Sequence, residues 1–429
     1  MKIQNVKGGY DFLPKEQKVR NYINNTLKEI FEQFGYKSIE TPILCYYDIL
    51  SDKYDSENDI LKEIYKLNDQ GDRRLGLRYD LTVPFAKFIA LNKNKITLPF
   101  KRYEIDKVFR DGPVKLGRDR EFIQCDVDVV GLEGQLIEAE LMSLFVLAFN
   151  KLNIDITIKY NSRNLMNGII NESGVDEDLN QSVTTIIDKK EKISNEEFCN
   201  RLKEIGLINE QINYINECFN LSLEELNKKF ENTNNDKIKL GLNELNELAN
   251  YLKKLDIDCI FTPSLARGQN YYTGNVFEVF DKQNRVQGSI GAGGRYDNMI
   301  TDFINDGNNY PTVGISFGLS SIYEILKDNE MFINNSDIDI FIIPIETEIE
   351  SLKIANKLRN LGYKVEIEMR NKKLKKSLEF ADKENIKYVI ILGMDEINNG
   401  IFKLKDMNNK IEYDIELSEI EKICDIIKL

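Results

Sequence analysis

The chain has 429 residues, 42% of them hydrophobic, enough to bury two or three separate cores. Its formal net charge of −13 excludes a generic nucleic-acid coat, although a local basic patch can still hold RNA. There is no histidine, which removes histidine general acids, histidine metal ligands and every Ser-His or Cys-His nucleophile, and leaves carboxylates, arginines, lysines, backbone dipoles or an oxygen-bound metal for any chemistry.

No apolar signal segment opens the chain and no apolar run approaches membrane-spanning length, so a cytoplasmic protein without a membrane partner is expected. Cys45, Cys125, Cys199, Cys218, Cys259 and Cys424 are scattered without CxxC spacing. Reduced, mostly buried thiols fit that scatter, and no metal is expected on protein histidine or cysteine.

Residues 7–14, KGGYDFLP, read as a loop. Val19, Tyr22, Ile23, Leu27, Ile30, Phe31 and Phe34 recur at three- and four-residue spacing, which predicts a helix over about 15–34 that Gly35 stops. The next stretch, YKSIETPILCYYDIL, reads as a strand broken at Pro42, a residue that cannot donate to a sheet ladder. LGLRYD, 75–80, alternates as a strand and puts Arg78 and Asp80 on one face; Thr82 and Pro84 then start a helix, TVPFAKFIALN.

Residues 108–130, VFRDGPVKLGRDREFIQCDVDVV, carry the most informative pattern. They predict a strand, a short basic loop and a second strand. On the second strand Arg118, Arg120, Phe122, Gln124, Asp126 and Asp128 share one face and Ile123, Cys125, Val127 and Val129 the other. The apolar side is core. The polar side runs from cations through an aromatic ring to acids, which suits a ligand with phosphate at one end and an ammonium or imidazole at the other.

From 161 to 256 the chain turns rich in Asn, Glu, Lys and Leu at helical period, which predicts a helical insertion. Chemistry-bearing residues return in SLARGQNYYTGNVFE and GSIGAGGRYD, where Arg267, Tyr271 and Tyr272 can hold an anion and a planar ring beside glycine-dense turns. PTVGISFGLSSIYEIL is a strand entering a helix at about Gly318, and that helix start is another place for phosphate. After a polar linker, 329–336, alternating strands and helices predict a small doubly wound α/β domain with a largely parallel sheet over 335–429. Its loop RNKKLKK, 370–376, is either a solvated helix start or a contact for the RNA backbone.

GGYDFLP, LRYDLTVPFA, VFRDGPVKLGRDREFIQCD, LARGQNYYTGNVFE and AGGRYD, in this order, resemble the histidyl-tRNA synthetases among the class II aminoacyl-tRNA synthetases. The resemblance extends over essentially the whole chain. It implies an α+β catalytic core, an antiparallel sheet flanked by helices, over 1–160 and 257–328. It also implies a C-terminal α/β domain of the anticodon-binding type and a homodimer whose contact uses the Pro42 segment. The implied reaction joins histidine to tRNA(His) with ATP and Mg²⁺. Carried over by position, Arg110, Arg118 and Phe122 would bind ATP. Asp80, Thr82, Gln124 and Asp128 would hold the amino acid, Arg267 would sit over its carboxylate and the α-phosphate, and Tyr271 and Tyr272 would enclose its ring. Arg110 and Arg267 are the implied catalytic pair.

Three positions depart from the family pattern. Gly112 and Asn270 stand where the family usually carries acids, and Ser321 stands where it carries an arginine that stacks on adenine near the phosphates. Arg120 or Arg295 is a candidate to make up that loss. The alternative to a working ligase is a catalytically impaired relative that binds histidine or tRNA as a regulatory or accessory subunit.

Overall fold

The structure is a computed structural model that describes residues 2–51, 59–115, 117, 119–267, 271–329, 336–370 and 372–428. The chain divides into two compact units between Lys327 and Asp328. Of the polar linker, 330–335 lie outside the described residues.

The first unit is organised on an eight-stranded sheet of Lys37–Ser38 (β1), Phe100–Phe109 (β2), Glu121–Val130 (β3), Ile156–Ser162 (β4), Cys259–Phe261 (β5), Asn275–Asp281 (β6), Gly291–Arg295 (β7) and Thr312–Gly318 (β8). Their order is β1-β2-β3-β8-β7-β6-β4-β5. The two outer pairs, β1 with β2 and β4 with β5, are parallel and the rest antiparallel.

One face of this sheet is covered by helices. Helix Pro14–Gln33 buries Val19, Ile23, Leu27, Ile30 and Phe31 along one stripe, as its spacing requires. Phe31 meets Tyr103 of β2 and Phe317 of β8, each with ring centroids 5.6 Å apart. Helix Leu136–Lys151 packs Phe145 on the same Phe317 ring at 4.9 Å. These aromatics close one side of the sheet and leave the other face for a ligand.

Pro42 does more than interrupt a strand. Lys37–Ser38 joins the main sheet, whereas Leu44–Tyr46 pairs with Arg74–Leu77 in a separate three-stranded sheet completed by Lys66–Asn68. Helix Thr82–Asn92 follows with the bounds its sequence predicts.

Three expectations need correction. Composition starts the helical insertion at 161, but β4 runs to Ser162 and the helices begin with Arg163–Glu172 and end with Asp236–Lys254. GAGGR reads as a turn, yet it is β7, an interior strand with every residue buried. Glycine is required there by close backbone approach: a Cβ on Gly293 would lie 2.2 Å from the Gly314 carbonyl of β8. Alternation puts Arg118 on the second strand of the hairpin, but β3 begins at Glu121, and Arg118 lies outside the described residues.

The second unit has a five-stranded sheet of Ile340–Pro344 (β9), Val365–Ile367 (β10), Tyr388–Leu392 (β11), Ile401–Asp406 (β12) and Ile411–Glu416 (β13), in the order β10-β9-β11-β12-β13. It is mixed rather than largely parallel, because β12 and β13 add as an antiparallel hairpin. Ile340 and Ile342 face one apolar cluster with Leu358, and Phe341 and Ile343 face another with Ala381, so helices Glu348–Asn360 and Leu374–Lys383 cover opposite faces.

Candidate active site

The hairpin β2–β3 is in a register that places Arg102 opposite Asp128, Glu104 opposite Asp126 and Asp106 opposite Gln124. On the other side of β3, strand β8 sets Gly314 beside Asp128, Ser316 beside Asp126 and Gly318 beside Gln124. Directly opposed residues share a face, so these rows form one polar surface across three strands. Above it is a cavity of about 220 Å³ lined by Asp80, Thr82, Arg110, Phe122, Gln124, Asp126, Asp128, Arg267, Tyr271, Tyr272 and Tyr296. Every sequence-predicted site residue among those described lines this cavity, although they come from positions 80 to 272.

One end of the cavity is cationic and aromatic. The Arg110 guanidinium lies over the Tyr79 ring at 4.2 Å and the Phe122 ring at 5.0 Å, and its Nε donates to the Tyr79 carbonyl at 3.3 Å. Arg267 lies elsewhere along the wall, 5.8 Å from the Tyr272 ring; it sits in left-handed backbone with φ 55°, and its Nη1 ion-pairs with Glu278 at 2.9 Å. The loop before it is pinned by Asn161, whose Nδ2 donates to the Pro263 and Leu265 carbonyls at 2.7 and 3.0 Å.

The other end is made of acceptors on a buried charge network. Arg102 is wholly buried; its Nη2 is 2.6 Å from Asp128 Oδ2 and its guanidinium is 4.3 Å from the Phe85 ring centroid. Arg78, also wholly buried, bridges Glu104 at 3.1 Å and Asp106 at 2.6 Å. The Tyr296 hydroxyl donates to Asp128 Oδ1. This dense packing explains Gly314, because a Cβ there would lie 1.8 Å from Asp128 Oδ1. Burial pushes the Asp80, Asp126 and Asp128 carboxyls above the usual carboxylate range; near Asp126 and Asp128, Arg102 opposes the shift.

Hydrogen bonds among the described residues show which acceptors are already spent. Asp128 Oδ1 accepts from the Tyr296 hydroxyl, whereas its Oδ2 is ion-paired with Arg102 at 2.6 Å but accepts no hydrogen bond. Asp80 Oδ1 accepts from the Val83 N–H at 3.0 Å, whereas its Oδ2 has no partner. Gln124 Nε2 donates to Ser316 at 3.2 Å, whereas its Oε1 has none. Asp126 Oδ1 is likewise buried and unpartnered. Three buried acceptors aimed at one cavity are a costly arrangement unless a donor-rich ligand satisfies them.

The sequence pattern missed Arg102, Glu104 and Tyr296. Arg102, Glu104 and Asp106 alternate with Tyr103, Ile105 and Lys107, so a second polar row of period two was present on the first arm of the hairpin. Tyr296 gave no such signal. Neither arginine proposed as a substitute is at the cavity. Arg120 pairs with Asp111 at 3.1 Å, and Arg295 is buried against Glu138 at 2.7 Å and the Gly134 carbonyl at 2.8 Å.

Residues 8–322 match the family model described as histidyl-tRNA synthetase, and residues 339–425 match that of an anticodon binding domain. The chain belongs to the histidyl-tRNA synthetase family. It is 48% identical over 427 residues to a "Histidine--tRNA ligase 1" of Bacillus cereus, covering 98% of this chain and 99% of that one. To "Histidine--tRNA ligase 2" of Shouchella clausii it is 42% identical over 419 residues, or 97% and 98% of the two chains. The crystal structure of histidyl-tRNA synthetase from Nostoc sp. PCC 7120 superposes with a TM-score of 0.85 at 28% identity, covering 100% of both chains. The mixed sheet with flanking helices is thus the class II synthetase fold.

Proposed function

We propose that this chain is a histidine–tRNA ligase, which activates histidine with ATP and transfers it to tRNA(His). The observation that carries the reading is the polarity of one cavity: Arg110 over aromatic rings at one end, buried acceptors at the other and Arg267 on its wall, in a member of this family. ATP lies toward Arg110 and Phe122, with Arg118 of the basic loop as a further phosphate ligand. The amino acid lies over Asp80, Thr82, Gln124 and Asp128, walled by Tyr271 and Tyr272.

In the first step a carboxylate oxygen of histidine bonds to the α-phosphorus as the bond to pyrophosphate breaks. Arg110 and Arg267 offset the negative charge that would otherwise repel the carboxylate from the phosphate, and the acceptor end fixes its direction of approach. In the second step the terminal ribose hydroxyl of the tRNA bonds to the acyl carbon and AMP leaves. Neither step needs an enzyme histidine. Mg²⁺ would be carried chiefly by the phosphate oxygens of ATP, where it would offset their charge. The test is histidine-dependent ATP–pyrophosphate exchange by the purified protein; its absence at saturating histidine and ATP sinks the reading.

Ser321 supports the second reading, an impaired relative that binds histidine or tRNA without efficient activation. With Arg120 and Arg295 engaged elsewhere, the nucleotide end lacks a described replacement for the family's arginine. Ser321→Arg is therefore expected to raise kcat/KM for ATP by roughly 10- to 100-fold, the worth of one or two charged hydrogen bonds. An unchanged value means that nucleotide affinity is supplied from another source.

The chain acts as a cytoplasmic homodimer in this reading. Leu44, Tyr46 and Leu67 on the three-stranded sheet beside Pro42 are exposed apolar side chains that a second copy would cover. Light scattering at micromolar concentration should give twice the 49.8 kDa chain mass, and a monomer argues against the interface. In the second unit Arg370 is held bidentately by Glu368 at 3.0 Å, which leaves exposed Lys372, Lys373, Lys375 and Lys376 to meet tRNA phosphates.

A further inference from the structure

Residues 161–164 join the loop that carries Arg267 to the helical insertion, and their side chains alternate between the two. Strand β4 ends at Ser162, with β5 on one side and β6 on the other. The loop 262–274 leaves β5 where the Thr262 N–H donates to the Tyr160 carbonyl at 2.9 Å. It enters β6 where the Gly274 carbonyl accepts from the Arg163 N–H, also at 2.9 Å. The end of β4 therefore stands at the mouth of this loop. Asn161 and Arg163, both buried, reach into it: Asn161 holds the Pro263 and Leu265 carbonyls, and Arg163 Nη1 donates to the Ala266 carbonyl at 3.2 Å. Arg267 follows at once in left-handed backbone, which a residue other than glycine keeps only where its surroundings dictate it. Burial pushes the Arg163 guanidinium down to about 10 against the attraction of Asp188, so the contact with Ala266 is kept at a desolvation cost.

Ser162 and Asn164 turn the other way. Ser162 caps helix Arg163–Glu172, accepting from the Leu165 N–H at 3.4 Å, and donates to Glu244 Oε2 at 3.1 Å. Asn164 Nδ2 donates to Glu244 Oε1 and Oε2 at 3.2 and 3.1 Å. Glu244 belongs to Asp236–Lys254, the last helix of the insertion. The two helices cross backbone to backbone: a Cβ on Gly241 would lie 2.3 Å from the Leu165 nitrogen, and one on Gly168 would lie 2.8 Å from the Ile238 nitrogen.

We propose that Arg163 is a positioning residue for Arg267, and that residues 161–164 couple the setting of the helical insertion to the first step of the reaction. The inference rests on the ligase reading and deepens it by naming what holds the catalytic arginine in place. Because the helices meet without slack, a shift of helix Asp236–Lys254 is passed through Glu244 to 162–164 rather than absorbed between them. The same backbone carries Asn161 and Arg163, so the loop moves with it and Arg267 leaves its approach to the carboxylate and α-phosphate.

The experiment measures histidine-dependent ATP–pyrophosphate exchange for the full chain, for Arg163→Met, Glu244→Ala and Arg267→Ala, and for the two double variants that contain Arg267→Ala. Arg163→Met lowers kcat by roughly 10- to 100-fold, the effect of a small misplacement of a catalytic group. KM changes little, because Arg267 acts on charge that develops in the transition state. Glu244→Ala, outside the residues that line the cavity, lowers kcat by roughly 2- to 30-fold. In the Arg267→Ala background both losses shrink to less than about 2-fold, because the group they position is gone. Losses that multiply instead, or a full rate in Glu244→Ala, mean that these residues only stabilise the fold and overturn the inference. If Arg163→Met does not fold, Arg163→Lys, which keeps the charge and a donor, takes its place in the cycle. An unmodified chain without exchange at saturating histidine and ATP overturns the ligase reading. The coupling is then decided by amide hydrogen exchange in residues 262–267, quickened by Glu244→Ala if it holds and unchanged if it does not.

Discussion

Arg267→Ala is expected to lower histidine-dependent ATP–pyrophosphate exchange by roughly 100- to 1000-fold, the usual effect of removing one preorganised group from developing charge. Arg267 is aimed by its surroundings: Glu278 holds Nη1 at 2.9 Å, and Arg163 Nη1 donates to the carbonyl of Ala266, the residue before it, at 3.2 Å. Its Nε is buried without a partner among the described residues, so one donor faces an incoming oxygen. Alanine bears the same left-handed backbone as arginine, and the melting temperature should move little. Arg267→Lys restores the charge but not the planar fork, and should recover only part of the rate. A full rate in the alanine variant would remove Arg267 from the reaction.

The second large effect is on stability. Arg102→Met removes the cation that sits against Asp128 at 2.6 Å and Glu104 at 3.6 Å, all three groups being buried. Breaking such a network from one side costs about 3–5 kcal/mol, because the remaining charge keeps its desolvation penalty and loses its partner. In a unit of this size that lowers the melting temperature by roughly 4–7 °C. The sign of the pH dependence follows from Asp126 and Asp128, whose carboxyls burial raises and Arg102 opposes. A carboxyl raised in the folded state contributes stability that is present below its unfolded value and lost as pH rises through its folded value. Without Arg102 the folded values rise further, so the deficit should be larger at pH 8 than at pH 5. A loss of equal size at both pH values would mean that packing of the guanidinium on Phe85, rather than charge, is what Arg102 supplies.

These expectations place the chemistry on a rigid sheet. Gly314 and β7 hold the backbone close, Arg102 and Arg78 fix the acids from below, and the tyrosines close the wall. Phe122, Gln124 and Asp128 stand on β3, whereas Asp80, Arg110, Arg267, Tyr271 and Tyr272 come from the loops around it.

Local regularities were legible from the residues alone. The stripe on helix Pro14–Gln33, the bounds of helix Thr82–Asn92 and the alternation of Phe122, Gln124, Asp126 and Asp128 follow from backbone period, which needs no knowledge of distant contacts. The order of the family motifs likewise carried the synthetase core and the C-terminal domain. Which acceptors are already spent was not legible. Tyr296 reaches Asp128 from 168 residues away, and Arg295 reaches Glu138 from 157. Neither pairing leaves a trace in local spacing. The glycines of β7 read as turns for the same reason, since their role is set by how near β8 passes. The alternating strand placed Asp126 and Asp128 on one face as equals; residues brought together in folding gave Asp128 the Tyr296 hydroxyl and the Arg102 guanidinium.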